Sequence, residues 1–198
     1  MSQQKKGEIK FFDLKKNTGI LLDENNQEIR VYRDNFIGPP LGERDEVYYI
    51  ERPGRNRGAD NIESIYAAYF KKNVLHLAEC DYDQFCDTSL AYAKKITGYD
   101  DQQLRLKDRN AKVRQDKVTT SMIRKVYTQI LRAQTVLDLK KLRPQFAYIA
   151  GRNADNLRVN ELMYILDYVV KNAEDRDHLE NIKEFLECIV AYMKFVGE

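Results

Sequence analysis

The sequence predicts an α+β protein of two domains, a small five-stranded β-barrel followed by an all-α helical bundle. Three observations carry this. Residues 1–65 hold five short runs rich in Ile, Val, Phe and Tyr, separated by Asn, Asp, Gly and Pro turns. From Asp81 onward, apolar residues instead recur at the i, i+3, i+4, i+7 spacing of a helix face. Charge is also segregated. Residues 99–152 carry 13 Lys and Arg against 5 Asp and Glu, a local +8, whereas residues 153–198 carry 5 against 10, a local −5. The whole chain is only +2.

The strands are expected at Gly7–Phe12, Gly19–Leu22, Glu28–Tyr32, Val47–Ile50 and Ala59–Ile62. Asn17-Thr18-Gly19, Asp23 to Asn26 and Gly38-Pro39-Pro40-Leu41-Gly42 break the runs between them. Five strands in so short a span suit a small Greek-key barrel. Residues 66–80 read as a linker or a short helical turn. Asp81–Ile96 reads as a helix with acids at its start, ended by Gly98. Tyr99–Asp116 is polar and charged and is expected to be a long mobile connection, in part helical.

Next comes KVTTSMIRKVYTQILRAQTVLDLKKLRPQFAYIAGR, from Lys117 to Arg152. Ile123, Val126, Tyr127, Ile130 and Leu131 form one apolar face, and Thr119, Thr120 and Ser121 can cap the first turn. Thr120 to about Asp138 is expected to form one helix. Pro144 divides it from a shorter one at Gln145–Ala150, which Gly151 ends. Asn160–Lys171 and Asp177–Val196 complete a compact bundle. Domain boundaries are therefore 1–65, 66–80 and 81–198.

Several function classes fall away. No apolar run approaches the roughly 20 residues of a membrane span. The opening MSQQKKGEIKFFD lacks the apolar centre of a secretion signal. Cys80, Cys86 and Cys188 are odd in number and read as reduced thiols, so a cytoplasmic protein is expected. His76 and His178 have no paired ligand spacing, and no phosphate-binding loop or nucleophile elbow occurs. Asp81, Asp83 and Asp87 could hold Mg²⁺, but acids at a helix start explain them better. No metal, no cofactor and no catalysis are expected.

What remains is a basic surface on helices, suited to a polyanion such as RNA. Arg124, Lys125 and Arg132 ride on the first helix of the central stretch, and Lys140, Lys141, Arg143 and Arg152 follow. A solvated helix face is the plain alternative. In the barrel region Lys10, Arg30 and Arg33 could meet phosphate, and Phe11 and Tyr32 could stack on bases. Arg52, Arg55 and Arg57 lie in a loop, ERPGRNRG, with the same capacity.

Two resemblances sharpen this. GEIKFFDLKKNTGILLDENNQEIRVYRDNF is similar to the opening of cold-shock domains, which are OB-fold barrels. Gly7, Ile9, Lys10, Phe11 and Phe12 match the family's start. Lys16-Asn17-Thr18-Gly19-Ile20-Leu21 has lost both aromatics of its first RNA-binding motif. Ile29-Arg30-Val31-Tyr32-Arg33 keeps one aromatic of the second. The second resemblance covers about residue 81 to the C-terminus. Its motifs are T-T-S-x-I-R-K at Thr119–Lys125, L-R-P-x-F-A-Y-x-A-G-R at Leu142–Arg152, and A-Y-x-K-F-x-G at Ala191–Gly197. These resemble the small subunit of the type III-A CRISPR–Cas (Csm) effector complex.

That resemblance implies a helical bundle without an active site. It implies copies that self-associate along the complex beside crRNA and target RNA, touching the backbone subunits and Cas10. It also implies that basic residues, here Arg124, Lys125, Arg132 and Arg152 first, line the RNA channel. The N-terminal barrel departs from the family plan, which is the helical domain alone. The alternative is a free-standing cold-shock-type regulator of single-stranded RNA with a helical dimerisation domain.

Overall fold

The computed structural model describes residues 4–52, 58–107 and 116–197. Arg55 and Arg57 lie outside them, as do residues 108–115 of the expected mobile connection. The chain divides into two compact units, Met1–Tyr69 and Phe70–Glu198.

The first unit is one antiparallel sheet curled into a half-barrel. Its strands are β1 (Gln4–Asp13), β2 (Thr18–Asp23), β3 (Glu28–Tyr32), β4 (Glu46–Arg52) and β5 (Gly58–Ser64), in the order β3-β2-β1-β4-β5. A parallel bridge between Phe36 and Ile62 draws the two edges toward each other. The short turns follow from residues that tolerate positive φ, Asn17 at 52° and Asn26 at 59°. Gly19 is required for contact: a Cβ there would lie 2.3 Å from the Phe11 carbonyl oxygen. Strand alternation sends Ile29 and Val31 inward and Glu28, Arg30 and Tyr32 outward. Inward residues Ile9, Leu21, Val47, Tyr49 and Ile62 are fully buried, each aliphatic one contributing about 1.5–3 kcal/mol. Phe12 meets Phe36 edge-to-face at 5.1 Å on the margin of this core.

The second unit is helical. Phe70 belongs to it, at the end of α1 (Ile65–Asn73), and a 3-10 stretch, Val74–Glu79, follows. The 66–80 stretch, expected as a linker or a short helical turn, is helical and packed. Phe70, Val74, Leu75 and Leu77 are buried because an open linker would leave four large apolar side chains in water. Then come α2 (Tyr82–Thr97), α3 (Tyr99–Lys107), α4 (Thr120–Arg132), α5 (Val136–Lys140), α6 (Arg143–Arg152), α7 (Leu157–Asn172) and α8 (Arg176–Phe195). α8 is the central support. It packs on α2, α4 and α5, while α6 lies on α7. Phe70 is in ring contact with Phe85, Tyr92 and Phe185 at 6.2, 5.3 and 4.8 Å. One buried ion pair, Lys95 to Glu161 at 2.8 Å, ties α2 to α7.

Local chemistry sets the helix ends. Asp81 caps α2 by accepting the Gln84 N–H, so at least this member of the Asp81, Asp83, Asp87 group serves the helix start. Gly98, at φ 75°, ends α2 in the left-handed conformation. Asn156 and Asp175 cap α7 and α8 in the same way as Asp81.

Tyr99–Lys107 is the helical part of the Tyr99–Asp116 connection. Two expectations are corrected. The single helix expected over Thr120–Asp138 is two. Ala133 leaves helical geometry, and Thr135 with Asp138 forms a reciprocal capping box that starts α5 afresh. Gly151 does not end α6, which runs through it to Arg152. A glycine at negative φ is simply tolerated there, since nothing forces the chain to turn.

Candidate nucleic-acid interface

α4 owes its position to its buried face. Thr119 caps it by accepting the Met122 N–H at 3.3 Å. Ile123, Val126 and Ile130 are buried, with α8 as the packing partner. At 3.6 residues per turn, Arg124, Lys125, Thr128 and Arg132 then fall within an arc of ~100° on the opposite side. All four are exposed. Among the described residues no carboxylate pairs with Arg124, Lys125 or Arg132. The helix therefore presents three cations and a hydroxyl on one open face. Such a face can neutralise phosphates spaced along a backbone, but offers no fixed fork for reading a base edge.

The other sequence-predicted cations are differently placed. Lys140 is exposed at the end of α5. Lys141 lies 3.6 Å from Asp138. Arg143 makes a bidentate pair with Asp167 of α7, Nε to Oδ1 at 2.7 Å and Nη2 to Oδ2 at 3.0 Å. Its guanidinium is held against the bundle, and the carboxylate raises its pKa further. Arg152 is exposed, stacks on Tyr148 at 5.8 Å and donates to its hydroxyl at 3.3 Å. Tyr148 is itself 62% exposed, an aromatic beside a cation that the sequence reading did not single out. The signal was there: Tyr148 and Arg152 are i, i+4 neighbours. The two basic groups stand on different supports, α4 on α8 and α6 on α7.

On the half-barrel, a register shift between Ile9 and Phe11 turns both Lys10 and Phe11 outward. Phe11 is 44% and Tyr32 49% exposed. Arg30 lies over the Tyr32 ring at 5.4 Å. Phe11 and Arg30 line a shallow groove of about 370 Å³ with Thr18, Gly19, Ile20 and Glu28. Lys10 is ion-paired to Glu28. Arg33 is exposed beyond the end of β3. Arg52 is paired with Asp60 at 3.0 Å.

Comparison with known proteins decides the class of the helical part. Residues 101–198 match the family described as Csm2 Type III-A. Residues 101–198, and not α1 or α2, belong to the Csm2 type III-A family. A similar relative is the "CRISPR system Cms protein Csm2" of Streptococcus thermophilus, 36% identical over 64 residues. That alignment covers 32% of this chain and 52% of the relative, so the chain spans about half of the relative's length. The Csm2 region takes in α4, α5, α6, α7 and α8, and with them every basic residue selected above outside the half-barrel. The half-barrel lies outside the family match. Among the described residues no group of three His, Cys, Asp or Glu could hold a metal ion, and no helix is long and apolar enough to cross a membrane.

Proposed function

We propose that this chain is a non-catalytic small subunit of a type III-A effector complex that holds the crRNA and target RNA backbone without reading bases. The observation that carries the reading is the α4 face. Arg124, Lys125 and Arg132 stand together within the Csm2 match and are engaged by no carboxylate among the described residues. Family membership supports assembly with other Csm subunits. Cas10, the backbone subunits and further copies of this chain are the proposed neighbours. Arg152, with Tyr148 beneath it, is the second proposed contact, and Lys140 and Lys141 are lesser ones. Arg143 serves as the brace of α6 on α7 and contributes only the outer edge of its guanidinium.

The outward aromatics of the half-barrel support its reading as an OB or cold-shock-like module. In this reading Lys10, Phe11, Arg30, Tyr32 and Arg33 form an auxiliary RNA surface. Specificity resides in guide–target pairing, so sequence-independent contacts suffice. The test is co-purification with the remaining subunits and guide RNA. Stable assembly at modest salt is expected. A chain that stays out of the complex under those conditions overturns the proposal.

A further inference from the structure

α8 buries one stripe, Leu179, Ile182, Phe185, Leu186, Ile189 and Met193, inside the helical unit. A second stripe, Glu180, Glu184, Glu187, Cys188 and Ala191, keeps the same i, i+3, i+4 rhythm but lines an open groove of about 710 Å³. Tyr82 of α2, Leu131 of α4 and Tyr192 of α8 line it too. From Glu180 to Tyr192 the groove follows α8 for about 18 Å, a little over three turns.

Two properties set this groove apart from an ordinary solvated surface. Tyr82 and Leu131 are 46% and 40% exposed, so it keeps large apolar side chains in water. It is also acidic, with the carboxylates of Glu180, Glu184 and Glu187 against the single ammonium of Lys183. That ammonium already donates to Glu180 at 3.3 Å. The Tyr82 hydroxyl donates to Glu184 at 2.6 Å and ties α2 to the acidic rim. Neither Glu184 nor Glu187 has a cation partner among the described residues.

We propose that this groove is the docking site for a short amphipathic helix of a partner protein, with leucine-like side chains along one face and Lys or Arg beside them. The apolar face covers Tyr82, Leu131 and Tyr192, and the flanking cations meet Glu184 and Glu187, as in helix-in-groove recognition. Charge complementarity selects this occupant. The carboxylates repel a phosphate backbone, so RNA does not fit. A second copy of the chain fits poorly as well. Its basic helix α4 has already spent its apolar residues Ile123, Val126 and Ile130 inside its own bundle, and offers cations without an apolar face. None of Arg124, Lys125, Arg132 or Arg152 lines the groove, so the proposal does not depend on the RNA reading.

The test is fluorescence anisotropy of the full chain with a labelled synthetic helix of about 14 residues, leucines on one face and lysines on its flanks. Saturable binding is expected at about 50 mM salt, weakening as salt rises. The same peptide with glutamates for lysines should bind at least about tenfold more weakly. Glu184→Gln with Glu187→Gln should weaken the lysine peptide about tenfold, and Leu131→Ser about fivefold. All three side chains are exposed, and unchanged melting confirms that these variants fold. Arg124→Ala with Arg132→Ala should leave peptide affinity unaltered, and the glutamine pair should not weaken binding to single-stranded RNA. The assignment is overturned if the lysine peptide does not bind, if it binds no better than the glutamate peptide, or if the groove variants bind it normally. Loss of RNA binding in the glutamine pair would make the groove a nucleic-acid site instead. Self-association of the chain that the glutamine pair abolishes would make a second copy the occupant. Either result also overturns the proposal.

Discussion

The half-barrel and α4 deploy cations in opposite ways. On the half-barrel, Lys5 pairs with Glu51, Lys10 with Glu28 and Arg52 with Asp60, and Arg30 rests on Tyr32. On α4, Arg124, Lys125 and Arg132 have no carboxylate partner among the described residues. The difference follows from local composition. Residues 1–65 carry 11 Lys and Arg against 12 Asp and Glu, so cross-strand neighbours can neutralise each other. Residues 99–152 have too few acids for that. The lesson is that a net charge of +2 conceals one region already satisfied internally and another still facing outward.

The largest expected effect tests whether the helical unit is the rigid frame this comparison assumes. Phe70→Ala removes the ring that meets Phe85, Tyr92 and Phe185. A loss of about 3–5 kcal/mol in urea unfolding of the helical unit is expected. A loss below about 1 kcal/mol would mean the cluster does not hold the helices.

The next prediction sets the two regions directly against each other. Arg124→Ala with Arg132→Ala should weaken binding to single-stranded RNA about tenfold at modest salt and lower the salt slope by about 1.5. Melting should hardly change, because both side chains are exposed. Phe11→Ala with Tyr32→Ala should leave the salt slope unaltered, since no charge is removed. If the aromatic pair carries the larger loss, the half-barrel and not α4 is the principal RNA surface.

The smallest effect concerns the break between α4 and α5. The Thr135 hydroxyl, followed by the Gln134 and Thr135 N–H groups, holds the Asp138 carboxyl below the usual carboxylate range. A lowered folded value means the stabilisation is present above the ordinary carboxylate pKa and fades as pH falls through the lowered one. Asp138→Asn should therefore melt slightly below the parent at pH 7, and the gap should close in acid. A gap that persists in acid would place the effect elsewhere.

Much of this was legible from residue order. β3 is bounded by Glu28 and Tyr32 as its alternation demands. Asp81 and Gly98 bracket α2 as capping chemistry requires. The break at Ala133 was not, because the apolar rhythm continues from Ile130 through Leu137 and only the Thr135–Asp138 box interrupts it. Nor was the partner of Arg143. Asp167 is on another helix, and nothing in the spacing of Leu142–Arg152 signals it.

The sequence by itself determined where strands and helices form and where basic charge accumulates, because period, caps and composition act over a few residues. Tertiary structure alone decided which charges remain available. Packing α6 on α7 pairs Arg143 with Asp167, and packing α4 on α8 leaves Arg124 and Arg132 outside. Those outcomes depend on contacts between residues distant in the chain, which burial of the apolar faces selects and local order does not encode.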